Sequence, residues 1–264
     1  MDTVPYAFVD STVGLLHHVK ELEDTFHLLQ PWENVIELYK NNVEEYDVSV
    51  SVDNNNRWNY SIFEVSSEDS ISVRSLLVKI RKFIRCRKFN ISSHNVDESV
   101  PKREILALIP FVAGQFYGHP ANVTISTISD ADISAGVFKH LKNVATVKRL
   151  RISYNGPESE DFVVHMLSTQ KSLILELVEE WPLNIVKQCV QSPNVADLTL
   201  RRCHAVTFEM CQFALDRWRK TSGKNKFVIY GPAWLNFEVF QQFSEVHKLF
   251  IYCKSYGYGR IATI

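Results

Sequence analysis

Residues 195–203 read VADLTLRRC, with Val195, Leu198 and Leu200 at spacings of three and two and Cys203 closing the run. Alternation of this kind predicts a short strand. The full pattern, apolar-x-x-apolar-x-apolar-x-x-(Asn or Cys), occurs again as Val147-Lys-Arg-Leu150-Arg-Ile152-Ser-Tyr-Asn155. Partial matches lie at Val123 and Ile125, at Ser172, Leu175 and Leu177, at Phe227 and Ile229, and at Val246, Leu249 and Ile251. The last apolar strand positions, 125, 152, 177, 200, 229 and 251, are separated by 27, 25, 23, 29 and 22 residues. One strand therefore returns at a nearly constant interval.

Helical spacing fills the gaps, over 133–141, 158–167, 183–190, 208–218 and 237–243, as in Phe208, Cys211, Leu215 and Trp218. A lone strand and helix cannot bury their apolar sides, so such units stack and share one continuous core. The interval is that of leucine-rich repeats, roughly 20 to 29 residues. The predicted fold class is α/β, an irregular leucine-rich-repeat-like βα solenoid over 93–264. An ordinary α/β domain with a parallel sheet alternates strands and helices too. The Asn or Cys that ends the motif sits at the turn leaving the strand, where Asn155 can satisfy backbone groups and Cys203 can be a small buried residue.

Residues 1–45 have a different texture. Pro5 is tolerated at a helix start, and Phe8, Val9, Val13 and Leu16 follow at helical spacing. Leu22, Phe26 and Leu29 form a second helical group, and Trp32, Val35, Ile36 and Tyr39 a third. This predicts a small module of three helices. Residues 46–92 form a connector. YDVSVSV and WNYSIFEV, joined by Asp53-Asn-Asn-Asn56, predict a hairpin. Residues 73–88 read as a helix, with Leu76, Leu77, Ile80, Phe83 and Ile84 as its apolar stripe and the basic residues on its solvated face.

The stretch MDTVPYAFVDS and the run Trp32-Glu-Asn-Val-Ile-Glu-Leu-Tyr39, ahead of a cysteine-type repeat array, resemble F-box proteins with leucine-rich repeats. More closely they resemble the lineage-expanded F-box-like families of nematodes. The resemblance implies a substrate-recruiting adaptor of a cullin-type (SCF) ubiquitin ligase, bridging the ligase's adaptor subunit and a protein substrate. It assigns adaptor binding to Val4, Pro5, Phe8, Val9, Val13 and Leu16. The same residues can instead cap the apolar end of the array.

Side chains beside the strand-core positions point to the inner face of such an array. Arg149, Arg151, Tyr154, Arg201, Arg202, Lys226, Tyr230, Lys248 and Tyr252 are the candidate substrate-binding residues, and their charge suits an acidic protein. Glu176, Glu179 and Asp197 interrupt the basic series. A solvated sheet face with scattered charge is the other reading.

Composition narrows the function classes. With 45% hydrophobic and 22% charged residues the chain is globular, and a net charge of -1 gives no bulk attraction to nucleic acid or anionic membranes. No apolar run of about 18 residues predicts a membrane span, and Asp2 stands where a secretory leader carries positive charge. An intracellular protein, cytoplasmic or nuclear, is expected. Cys86, Cys189, Cys203, Cys211 and Cys253 are odd in number and scattered, which predicts reduced thiols. No motif of metal-site, phosphate-loop or nucleophile-elbow spacing is found. The expectation is a non-enzymatic interaction protein without cofactor or metal. The alternatives are a scaffold that has lost ligase binding and an α/β enzyme with its site at the carboxyl ends of the strands.

Overall fold

The computed structural model describes residues 4–16, 30–53, 55–93, 98–116, 121–144, 146–202, 207–220, 228–230, 253–254 and 261–262. The chain is mixed α/β and divides into two compact units, one of residues 1–122 and 129–146, the other of 123–128 and 147–264.

In the first unit, α1 (Tyr6–Gly14) and α2 (Gln30–Asn42) precede β1 (Glu44–Val52) and β2 (Trp58–Glu64). Val9 and Val13 of α1 and Val35, Ile36 and Tyr39 of α2 bury together with Val43 and Phe83, which fixes the helix pair on its own small core. The predicted second helical group, Leu22 to Leu29, lies outside the described residues. The hairpin forms as expected, with Val52 opposite Trp58. Asp53 holds its turn: Oδ1 accepts the N–H groups of Asn55 and Arg57, both at 2.9 Å. Asn56 takes φ 56°, a left-handed conformation that Asn tolerates.

The helix expected over 73–88 is corrected. Only Val73–Leu77 (α3) is α-helical. A single 3₁₀ turn follows at Arg81–Phe83, and Ile84–Ser93 is a strand, β3, pairing parallel with β1. Ile84, Cys86, Phe89 and Ile91 are the buried residues of that strand's apolar face, and Ile80, assigned to the apolar stripe, is 65% exposed. Pairing with β1 outweighs local helical spacing, and of the expected stripe only Ile84 enters the strand. A bulge falls where Tyr46 pairs with Cys86 but Asp47 with Lys88, and it brings Arg87 and Lys88 to Asp47 at 2.9 and 3.4 Å. Helix α4 (Lys102–Ala113) then packs on α5 (Ala131–Leu141), and Lys102 bridges Asp130 and Asp132 at 2.8 Å each.

The second unit alternates strands and helices. Strands β4 (Ala121–Ile125), β5 (Val147–Ser153), β6 (Leu173–Val178), β7 (Val195–Arg201) and β8 (Val228–Tyr230) lie side by side in sequence order, and β5 to β8 are mutually parallel. Helices α6 (Pro157–Thr169), α7 (Leu183–Gln191) and α8 (Phe208–Lys220) alternate with them. Each expected strand and helix between 123 and 230 is present, and the elements proposed over 237–251 lie outside the described residues. The strand register aligns Leu150, Leu175, Leu198 and Ile229 in one row and Ile152, Leu177 and Leu200 in the next. All seven are buried. One sheet face is thus a continuous apolar layer, while residues on the other face are mostly half-buried.

Polar side chains tie the turns at both ends of these strands. Asn155 donates Nδ2 to the carbonyls of Ser153 (2.8 Å) and Ser126 (3.3 Å), and its Oδ1 accepts the Ile128 N–H at 2.6 Å. The residue closing the repeat motif therefore joins the turns leaving two successive strands, as its position predicted. At the opposite strand ends, buried Gln170 accepts the Val147 N–H, and Arg217 donates to the carbonyls of Pro193 and Val195. Cys86, Cys189 and Cys211 are buried thiols outside any disulfide, and burial pushes the Cys86 thiol up from its ordinary value. Cys203 lies outside the described residues.

Candidate functional site

Two surfaces contain the predicted site residues. The first is α1. Its apolar residues lie on both sides of the helix, so the six residues assigned to adaptor binding separate. Val9 and Val13 are fully buried in the core shared with α2 and are unavailable to a partner, which corrects their assignment: their side chains hold the helix in place. Val4, Pro5, Phe8 and Leu16 are exposed, Phe8 by 58%. Tyr6 and Leu15 join them as exposed large apolar side chains that the sequence reading did not single out. The signal was available, since Val4, Phe8 and Leu15 stand at helical spacings of four and seven.

Ring packing and hydrogen bonds set this face. Phe8 meets Trp32 edge to face at 6.3 Å between centroids. Tyr39 donates its hydroxyl to the Asp10 carbonyl at 3.3 Å, and Arg85 donates to the Gly14 carbonyl at 2.7 Å, placing a cation on the carbonyl end of the helix. Burial, together with the Asp10 carboxylate, raises the Tyr39 phenol above its usual range.

The second surface is the open face of the parallel strands. Register puts Arg149, Ile174 and Asp197 in one row, Arg151, Glu176 and Thr199 in the next, and Ser153, Val178 and Arg201 in a third. Arg149, Arg151 and Arg201 therefore share a face, as expected. Their charges are not equivalent. Glu176 Oε1 lies 2.8 Å from Arg201 Nε and 3.6 Å from Arg151 Nε. The basic strip is thus an Arg–Glu–Arg cluster, with Arg149 outside it.

Arg202 follows the strand at φ 55° and is exposed. Glu179, at the same place after β6, also has positive φ, 68°, so the two turns repeat one backbone geometry. Tyr154 is half-buried: it stacks edge to face on buried Trp181 at 5.4 Å and donates to Glu160 at 2.8 Å, a bond that raises its pKa. Lys226, Lys248 and Tyr252 lie outside the described residues. Tyr230 stands opposite Thr199 by backbone register alone.

Among the described residues no group of three or more His, Cys, Asp or Glu is placed to hold a metal ion, and no described helix is long and apolar enough to cross a membrane. No family model matches the chain, and no curated protein matches it significantly.

Proposed function

We propose that the chain is a recruiting adaptor, an F-box-like module joined to a leucine-rich-repeat-like array, that bridges the adaptor subunit of a cullin-type ubiquitin ligase and a protein substrate. The observation that carries this reading is the division of α1. Val9 and Val13 anchor the helix, which leaves Val4, Phe8, Leu15 and Leu16 exposed on a rigid support. A cap needs one apolar face, and α1 has two. Exposed aromatic and aliphatic side chains on a fixed helix are the anchors a partner groove engages.

The open strand face supports the second half of the reading. Parallel strands in sequence order, one face buried and the other open, form an extended recognition surface. Its arginines at the cluster are occupied by Glu176, so Arg149 and Arg202, which make no ion pair among the described residues, are the points at which a partner's carboxylates attach. Bridging works by raising the effective concentration of one partner near the other.

Co-purification of the full chain with the ligase adaptor subunit tests the proposal. The unaltered chain is expected to capture the subunit, and F8D with L15D to lose it while keeping a cooperative thermal transition. Failure of the unaltered chain to capture the subunit overturns the ligase reading.

A further inference from the structure

A cleft of about 530 Å³ opens in the first unit, lined by four segments distant in sequence: α1, Tyr39 of α2, the 3₁₀ turn with the start of β3, and the end of α4. That volume falls in the roughly 300–1,000 Å³ range of small-molecule sites. Three cations, Arg81, Lys82 and Arg85, border it, against a single carboxylate, Asp10. Pro110 and Phe111 supply an apolar wall.

The charge balance is uneven. Lys82 shares Asp10 at 3.2 Å. Arg85 is only 5% exposed, and its bonds run to the carbonyls of Lys82, Ile84 and Gly14, with no carboxylate. Burial accordingly lowers its pKa. Arg81 lies over the Phe111 ring at 5.4 Å and makes no ion pair among the described residues. Lys82 thus has Asp10 and Arg85 feels the Glu45 carboxylate, while exposed Arg81 makes no ion pair among the described residues, so the lining of this concave space carries more positive than negative charge. A bound anion balances that excess.

We propose that this cleft binds a phosphate monoester carrying a flat apolar group. A monoester has about 1.5 to 2 negative charges at neutral pH and three acceptor oxygens, which matches a lining of three cations and one carboxylate better than a single carboxylate does. Arg81 and Lys82 supply the donors. Arg85 contributes its charge from the cleft wall, held there by its three carbonyl bonds. The Gln115 amide, donating to the Arg81 and Ile84 carbonyls, keeps the turn in shape. The apolar group of the ligand lies against the Pro110 side of the cleft. Asp10 is the opposing element, since it occupies Lys82 and repels the anion.

The test is calorimetric titration of the full chain with phenyl phosphate, inorganic phosphate and benzoate at low salt. Phenyl phosphate is expected to bind tightest and benzoate weakest. R81A should lose at least about tenfold in affinity, with an unchanged melting temperature because Arg81 is exposed. D10N should bind phenyl phosphate more tightly, which a purely structural role for this turn does not predict. Co-sedimentation with phosphatidylcholine vesicles containing phosphatidic acid identifies the carrier: capture lost in R81A assigns the monoester to a lipid headgroup, and no capture assigns it to a free small molecule. The proposal is overturned if phenyl phosphate binds more weakly than about 10 mM, or if R81A and D10N bind it as the unaltered chain does.

Discussion

Arg201 Nε lies 2.8 Å from Glu176 Oε1, so the arginine that ends β7 is ion-paired with the carboxylate in the middle of β6. Arg151 approaches the same oxygen from β5 at 3.6 Å. One carboxylate therefore spans three strands of the open face. Replacing Glu176 by Gln leaves two like charges side by side. Because both arginines are more than a third exposed, solvent screening limits the cost to about 1 kcal/mol at low salt. Urea denaturation at low and high ionic strength checks this. The loss should shrink as salt rises, and an undiminished loss would assign Glu176 a packing role instead.

Asn155 should matter more, although it carries no charge. Its amide satisfies two carbonyls and one N–H at the turns after β4 and β5. Truncation to Ala leaves these groups without their partner, at a cost of about 2 to 3 kcal/mol. Asp at the same position keeps the acceptor for the Ile128 N–H and loses both donations, so N155D is also expected to be destabilised. Equilibrium unfolding in denaturant decides the matter, and N155A within error of the unaltered chain would contradict the assignment.

Where the fold and the candidate surfaces were legible in the sequence depended on whether the deciding contact is local. The apolar positions 152, 177, 200 and 229 mark strands because each parallel strand buries the same side of one sheet, and Asn155 follows at the end of its strand. The strand at 84–93 was not legible. Leu76, Leu77, Ile80, Phe83 and Ile84 have helical spacing, and only pairing with β1, about 40 residues earlier, makes the segment extended. Arg85 was read as a solvated cation because sequence does not show that the Gly14 carbonyl waits for it. The Arg–Glu–Arg cluster needs strand register, and the basic cleft needs four segments brought together.

Helix α1 yields a contrast between adjacent residues. Val9 is fully buried and Phe8 is largely exposed. Val9→Ala removes two buried methyl groups' worth of packing and should cost about 1 to 2 kcal/mol. Phe8→Ser gives up only its edge contact with Trp32 and should cost less than about 1 kcal/mol. Thermal and urea unfolding of both variants measure this order, and its reversal would show that the outer face of α1 is part of the core.

Acid should weaken the fold through Asp47 and Asp130. Burial works to raise both carboxyls, but the hydrogen bonds of Arg87 on Asp47, and of Lys102 and the Ile133 N–H on Asp130, hold them below the usual carboxylate range. A carboxyl that titrates lower when folded stabilises the chain fully above its unfolded pKa, near 4 for Asp. That contribution disappears as pH falls through the folded value. Stability should therefore drop from about pH 4 downward. Asp47→Asn should be less stable at pH 7 and show a shallower fall in acid. Unfolding midpoints between neutral and acid pH test both, and an unchanged acid slope would remove Asp47 from the explanation.

Gly14 and Tyr39 close the first unit's helix pair on each other. A Cβ at Gly14 would stand 2.9 Å from the Tyr39 hydroxyl, too close for an ordinary contact. That hydroxyl donates to the Asp10 carbonyl, and the ring is packed edge to face on Phe83 at 5.2 Å. Gly to Ala at a helix position usually gains up to about 1 kcal/mol. Here the gain is opposed, because Tyr39 must move from a buried site and weaken its bond to Asp10. Gly14→Ala is expected to be destabilising on balance. Tyr39→Phe removes the obstructing oxygen and forfeits one long hydrogen bond, costing about 1 kcal/mol. In that background Gly14→Ala should become neutral or stabilising, since the space is then open and helix propensity acts alone. A double-mutant cycle in urea measures the reversal of sign. If Gly14→Ala costs the same with and without the hydroxyl, the close approach of Tyr39 is not what requires glycine at the end of α1.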